Sequence, residues 1–203
     1  YAPELVERTT HLTHGLVKLA GNVKRSSRKG NFLRAVDVLE MVREMLGGDK
    51  ADTKVVLAAI KYAFLKYKMG GDIVFDPKES VSTVGNSGVY ILYSVVRAKK
   101  ILEKGSDKVA TKDDIADVNE FELRLCKKLV QYRDVVLAAV EDKASNKVCT
   151  YLYELAQTFS RFYENAQVVG GEHEGRLRAL VAAYANVMED GLAVLGIEAP
   201  EEM

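Results

Sequence analysis

The chain has 203 residues, 48% of them apolar, and its 29 Lys+Arg offset its 29 Asp+Glu to a formal net charge of zero. That length suits one large domain or one and a half ordinary ones with a sizeable core. The charge balance excludes a polycation, so any nucleic-acid binding must come from local patches. No apolar run approaches membrane-spanning length, and no signal peptide or transit sequence opens the chain, which reads as cytoplasmic with no membrane partner.

The run His11–Leu19 (HLTHGLVKL) is strand-like, and it stands as a lone strand with nothing to pair with. Together with a start at Tyr1, it suggests that an N-terminal part of a longer protein is absent. His11 and His14 would point to opposite faces of such a strand, and neither has a Cys or carboxylate partner at ligand spacing, so no metal site is expected. The stretch Lys24–Asn31 (KRSSRKGN) then packs four cations, two hydroxyls and a glycine into eight residues, with no acidic residue between Glu7 and Asp37. A basic loop between a strand and a helix suits a concentrated negative charge such as phosphate, since the serines and backbone N–H groups supply aimed donors. The plainer reading is a solvated turn that is merely basic.

Helical periodicity dominates the remainder. Ala35–Leu46 carries Val36, Leu39, Val42 and Met45/Leu46 and stops at Gly47-Gly48, and Thr53–Tyr67 follows with Asp52 as N-cap. Met69–Asn86 is broken by a proline and glycines, with one β-prone piece at Asp72–Phe75, and reads as a linker. Five further helices are expected over 88–103, 118–131, 134–143, 146–165 and 172–195, interrupted by the polar loop 104–117. The stripes Leu152, Leu155, Phe159, Phe162 and Leu177, Leu180, Tyr184, Met188, Leu192, Leu195 read as bundle core. Cys126 and Cys149, with no CxxC pair, read as reduced core thiols, and His173 as a solvated residue in the first turn of the last helix.

One face departs from that core pattern. Tyr90, Tyr93 and Arg97 lie three and then four residues apart, and a similar mixture recurs at Tyr151, Tyr153, Arg161 and Tyr163. Tyrosine rings and guanidinium planes are the groups that sandwich unstacked bases. The alternative is that these tyrosines pack in the core with their hydroxyls at the rim. No Ser-His-Asp set, GxxxxGK loop or helix-borne carboxylate pair emerges, so independent hydrolytic chemistry is not expected.

KRSSRKGN resembles the mobile signature loop of class I aminoacyl-tRNA synthetases in the form used by the arginyl-tRNA synthetase family. VFDPKESVSTVGNSGVYILYSVVRAKKIL resembles the family's junction between catalytic domain and anticodon-binding helices. CTYLYELAQTFSRFYENAQVVG and LAVLGIEAPEEM resemble its anticodon-binding bundle and C-terminus. The resemblance implies a mainly α fold: residues 1–79 as the strand-loop-helix end of a class I catalytic domain, and 80–203 as an α-helical anticodon-binding bundle. It implies arginine–tRNA ligase activity in protein biosynthesis, in which arginine is activated with ATP and passed to tRNA(Arg). ATP is then a nucleotide substrate accompanied by Mg2+ in the full enzyme, and no metal or organic cofactor is expected in this chain. By position, Lys24, Ser26, Ser27, Arg28 and Lys29 match the catalytic loop, with Lys24 and Lys29 favoured for the phosphates. Arg25 and Ser27 stand where the family usually has methionine and lysine. Asn86, Tyr90, Arg97, Tyr163 and Met203 match anticodon-binding positions. The family's nucleotide-binding fold would precede Tyr1, so the chain alone is expected to be inactive. A second reading is a free-standing helical RNA-binding or protein-interaction module. No DNA partner is expected.

Overall fold

The computed structural model describes residues 3–21, 34–106, 108–110 and 117–203. The basic loop, with Lys24, Ser26, Ser27, Arg28 and Lys29, lies outside the described residues. After a 3-10 turn at Pro3–Leu5 come β1 (Val17–Leu19), α1 (Ala35–Met45), α2 (Thr53–Leu65), β2 (Ile73–Phe75) and the short α3 (Pro77–Ser80). The bundle helices follow: α4 (Gly88–Lys104), α5 (Glu120–Val130), α6 (Tyr132–Glu141), α7 (Ser145–Glu164) and α8 (Glu174–Val194). The expected mainly helical architecture is what the chain adopts.

Local chemistry explains where the helices begin. Asp52 accepts from the Lys54 N–H to start α2, and Ser87 accepts from the Tyr90 N–H to start α4. At α5, Asn119 and Glu122 exchange hydrogen bonds with each other's backbone as a capping box. Asp76 followed by Pro77 opens α3, one turn of helix inside the stretch expected to be only a linker.

The expectation of a lone strand is corrected. β1 pairs in parallel with β2, Val17 opposite Ile73 and Leu19 opposite Phe75, so the β-prone piece of the linker is its partner. The Leu16 N–H bonds Asp72 Oδ1 at 2.9 Å, and Lys18 pairs with the same carboxylate. Phe75 then drops under the pair and stacks on Phe64 of α2, ring centroids 5.3 Å apart. His11 and His14 precede the strand and are exposed.

The buried core is continuous from Val38 of α1 to Ile197 beyond α8. Helix α4 sits at its centre, packed by α2, α7 and α8. The α2–α4 approach is close because Gly88 has no side chain: a Cβ there would lie 2.5 Å from the Ala58 carbonyl oxygen of α2. The buried Tyr62 hydroxyl lies 2.9 Å from the Cys149 carbonyl oxygen, joining α2 to α7. Leu152, Leu155, Phe159 and Phe162 are all fully buried, as their stripe implied. At the other end, Glu122 of α5 and Arg176 of α8 form a largely buried ion pair at 2.8 Å.

Two smaller expectations also change. Cys149 is buried, which pushes its thiol up to about 12, but Cys126 is exposed on α5 and is not a core thiol. It sits one residue past the fully buried Leu125, and so about 100° round the helix from the core. His173 is half-buried at the N-cap of α8, where its carbonyl accepts from Leu177, and is not the solvated residue expected.

The Gly88 approach sets a stability test. Gly88→Ala should lower stability by about 1–3 kcal/mol, because the new methyl meets fixed backbone. Thermal unfolding followed by circular dichroism checks it, and an unchanged midpoint would mean that α2 is not docked on α4 in solution.

Candidate nucleic-acid interface

Helix α4 buries nine of its 17 residues, among them Ile91, Leu92, Val95 and Ala98, all fully buried. Toward the end of α7 it presents a strip spaced by four, three and four residues: Tyr93, Arg97, Lys100 and Lys104. Across from it ends α7. There Phe159 is buried face to face with Tyr184 of α8, centroids 3.8 Å apart, and Tyr184 shares a hydrogen bond with Ser94 of α4. Tyr163 continues this ladder outward, stacked 6.5 Å from Phe159 and 41% exposed. A ring anchored in the core is thus delivered to the surface.

Arg97 lies between the two exposed rings, its guanidinium carbon 4.9 Å from the Tyr93 centroid and 5.7 Å from that of Tyr163. Cation–π attraction holds the guanidinium there. The Arg97 hydrogen bond and charge, with Lys100 adding to them, pull the Tyr93 phenol below its ordinary value. Around this trio opens a cavity of about 720 Å³, with Lys100, Lys104, Gln167 and Met203 on its walls and no acidic residue in its lining.

Met203 reaches the cavity because the preceding segment is tied down. Ile197 is 4% exposed, and Lys61 bonds the Gly196 carbonyl oxygen. Lys54 pairs with Glu198, and Lys99 bridges Glu189 at 2.6 Å and Glu201 at 3.2 Å.

Of the residues expected at an RNA interface, Arg97, Tyr163 and Met203 therefore line one cavity, while Asn86 and Tyr90 do not. Tyr90 is half-buried and edge-on to Tyr153, with centroids 5.8 Å apart. Asn86 sits in the loop before α4, its Oδ1 2.6 Å from the Tyr62 hydroxyl and its carbonyl bonded by Lys66 at 3.2 Å. Tyr151 is buried, its hydroxyl bonding the Lys128 carbonyl oxygen at 3.0 Å. Core packing thus accounts for Tyr90, Tyr151 and Tyr153, and fails for Tyr93 and Tyr163. Lys100 and Lys104, outside the expected set, continue the Tyr93–Arg97 spacing down the same face, whereas no sequence pattern marks Gln167. Among the described residues no group of three His, Cys, Asp or Glu side chains is placed to hold a metal ion.

An open, acid-free cavity with two exposed rings, a stacked guanidinium and two lysines can take a flat π-face together with the phosphate attached to it. Residues 91–203 match the DALR anticodon binding domain family. The chain belongs to that family. The DALR match opens inside α4 and takes in Tyr93, Arg97, Tyr163 and Met203, whereas Asn86 and Tyr90 precede it.

The likeness to known proteins runs beyond the DALR region. The chain is 32% identical to the arginine–tRNA ligase of Clostridium perfringens over 217 residues, covering 98% of the chain and 38% of that protein. It is 33% identical to the arginine–tRNA ligase of Cutibacterium acnes, covering the whole chain and 38% of that protein. The solved arginyl-tRNA synthetase of Thermus thermophilus superimposes with a TM-score of 0.84 at 28% identity, over 99% of this chain and 37% of that one. The chain thus spans a little over a third of the length of these relatives.

If Arg97 holds the Tyr93 phenol as described, Arg97→Ala should raise the Tyr93 pKa toward its ordinary value of 10.0. A pH titration of ring-labelled tyrosine by NMR reads this directly, and an unmoved Tyr93 titration would show the pair to be apart in solution.

Proposed function

We propose that the chain is the C-terminal part of an arginine–tRNA ligase and that it grips the anticodon loop of tRNA(Arg) in the cavity between α4, the end of α7 and the segment bearing Met203. The observation that carries this reading is Arg97 held between Tyr93 and Tyr163 in an acid-free cavity, within the part of the chain that matches an anticodon-binding family. Anticodon loops present unstacked bases, and such bases are gripped by stacking and by hydrogen bonds to their edges. Tyr163 and Arg97 supply the planes, Gln167 an edge-reading amide, and Lys100 and Lys104 the charge for the backbone. Asn86 and Tyr90, outside the cavity lining, would act on the loop from its flank. Ile91, on the same helix, is fully buried and cannot reach a base.

In the complete enzyme the division falls between residues 1–79, the end of the catalytic domain, and 80–203, the bundle. The loop with Lys24, Ser26, Ser27, Arg28 and Lys29 would close over ATP and its Mg2+ in the cytoplasm. Charge grows on the departing pyrophosphate as arginine attacks the α-phosphate. Cations and donors that close over it favour the transition state over bound ATP, which lowers the barrier to arginyl-adenylate.

Two measurements check this. Arg97→Ala and Tyr163→Ala should each weaken binding of an arginine anticodon hairpin by about 1–3 kcal/mol, as loss of a stacking plane does. Wild-type affinity in both variants would remove the cavity from the tRNA site. The chain by itself should show no arginine-dependent exchange of pyrophosphate into ATP, and detectable exchange would overturn the assignment of the nucleotide site to a part outside these residues.

A further inference from the structure

A second cavity, of about 310 Å³, lies on the other flank of α7 from Tyr163, between that helix and α5. Its lining carries Arg124, Lys127 and Lys128 of α5 and Arg161 of α7, with Gln131 and Thr158 as neutral hydrogen-bonding groups and no acidic residue. In a chain of zero net charge this is a strong local departure. We propose that this cavity is a docking surface for RNA backbone phosphates, distinct from the base-gripping cavity. The proposal rests on the tRNA-binding reading above and adds a second contact region to it.

The four cations are not equivalent. Arg124 is compensated by Glu120 at 2.6 Å and lies 5.9 Å from the Phe121 ring centroid. Lys128 is compensated by Glu154 and sits 5.3 Å from the Tyr151 ring centroid. These two are held in place and form the walls. Lys127 and Arg161 are exposed and have no acidic partner among the described residues. They are the charges available to an incoming anion.

A plainer account would place Lys127 and Lys128 in the last turn of α5 to offset the negative end of its dipole. That explains two cations on one helix. It does not explain why Arg161 of a different helix converges on the same space, or why the lining lacks any carboxylate. Guanidinium, ammonium, amide and hydroxyl groups around a shallow trough match phosphate oxygens.

The position also fits one ligand. Arg161 and Tyr163 are two residues apart and so face opposite flanks of the same helix end, about 10 Å across. An RNA strand with bases against Tyr163 passes from one cavity to the other within a few nucleotides. Phosphate contacts of this kind set register and affinity and carry no sequence information.

The experiment is a titration of the chain with tRNA(Arg) and with an anticodon-altered tRNA(Arg), each over a series of salt concentrations. The proteins compared are wild type, the double variant Lys127→Gln/Arg161→Gln and Arg97→Ala. Lys127 and Arg161 are exposed, so the double variant should keep the wild-type circular dichroism spectrum and melting midpoint. It should bind both tRNAs about tenfold more weakly at low salt. Its slope of log K against log [salt] should be shallower by ~0.9 per lost phosphate contact. The ratio between the two tRNAs should stay at the wild-type value, whereas Arg97→Ala should collapse that ratio. Wild-type affinity and slope in the double variant would overturn the phosphate surface while leaving the base-gripping cavity standing. A changed ratio with an unchanged slope would overturn it too. Failure of the wild-type chain to bind either tRNA would instead sink the tRNA reading on which this proposal stands.

Discussion

Helix α4 is gripped by α2, α7 and α8, and nearly every other feature of the molecule follows from that confinement. A helix packed by three others keeps few residues for solvent, and on α4 Tyr93, Arg97, Lys100 and Lys104 form the strip that lines the larger cavity. Because the buried side is close-packed, the strip cannot rotate or slide without opening voids worth several kcal/mol. The missing side chain at Gly88 is what lets α2 come so near, and the Ser94–Tyr184 hydrogen bond pins the opposite side to α8. Surface chemistry is thereby made as rigid as the core that carries it.

The same economy governs α7. Its buried stripe from Leu152 to Phe162 turns outward at Tyr163, whose ring stacks on Phe159 and through it on Tyr184. An exposed aromatic with such backing loses little side-chain entropy when a base stacks upon it, because its rotamer is already fixed. Arg161, on the other flank, has no such backing and keeps the freedom of a long side chain. A fixed plane suits recognition of a flat base, whereas a swinging cation suits a phosphate whose position varies with sequence.

Much of this was legible in the sequence, and the parts that were not share a cause. Helices announce themselves within a dozen residues through the 3.6-residue period, so α1 and α4 begin at the positions their apolar patterns implied. Parallel strand pairing does not. β1 and β2 are separated by two helices, and nothing in HLTHGLVKL names Ile73–Phe75 as its partner. Within a helix, the pattern gives a face but not which neighbour covers its edge. Tyr90 and Tyr93 are three residues apart, about 60° round the axis, and only the placement of Tyr153 decides that Tyr90 is covered while Tyr93 is left for the cavity. Cys126 likewise lies at the margin of a stripe whose true centre is Leu125. The tyrosine–arginine spacing marks the helix whose Tyr93 and Arg97 line the larger cavity, but not which of its two tyrosines is left open.

The lysine-tethered segment from Gly196 to Glu201 has a practical bearing on how the protein is handled. It delivers Met203 to the wall of the larger cavity, so anything fused just beyond that residue would hang at the cavity's mouth. Purification handles and fluorescent reporters placed there would compete with ligand for the opening.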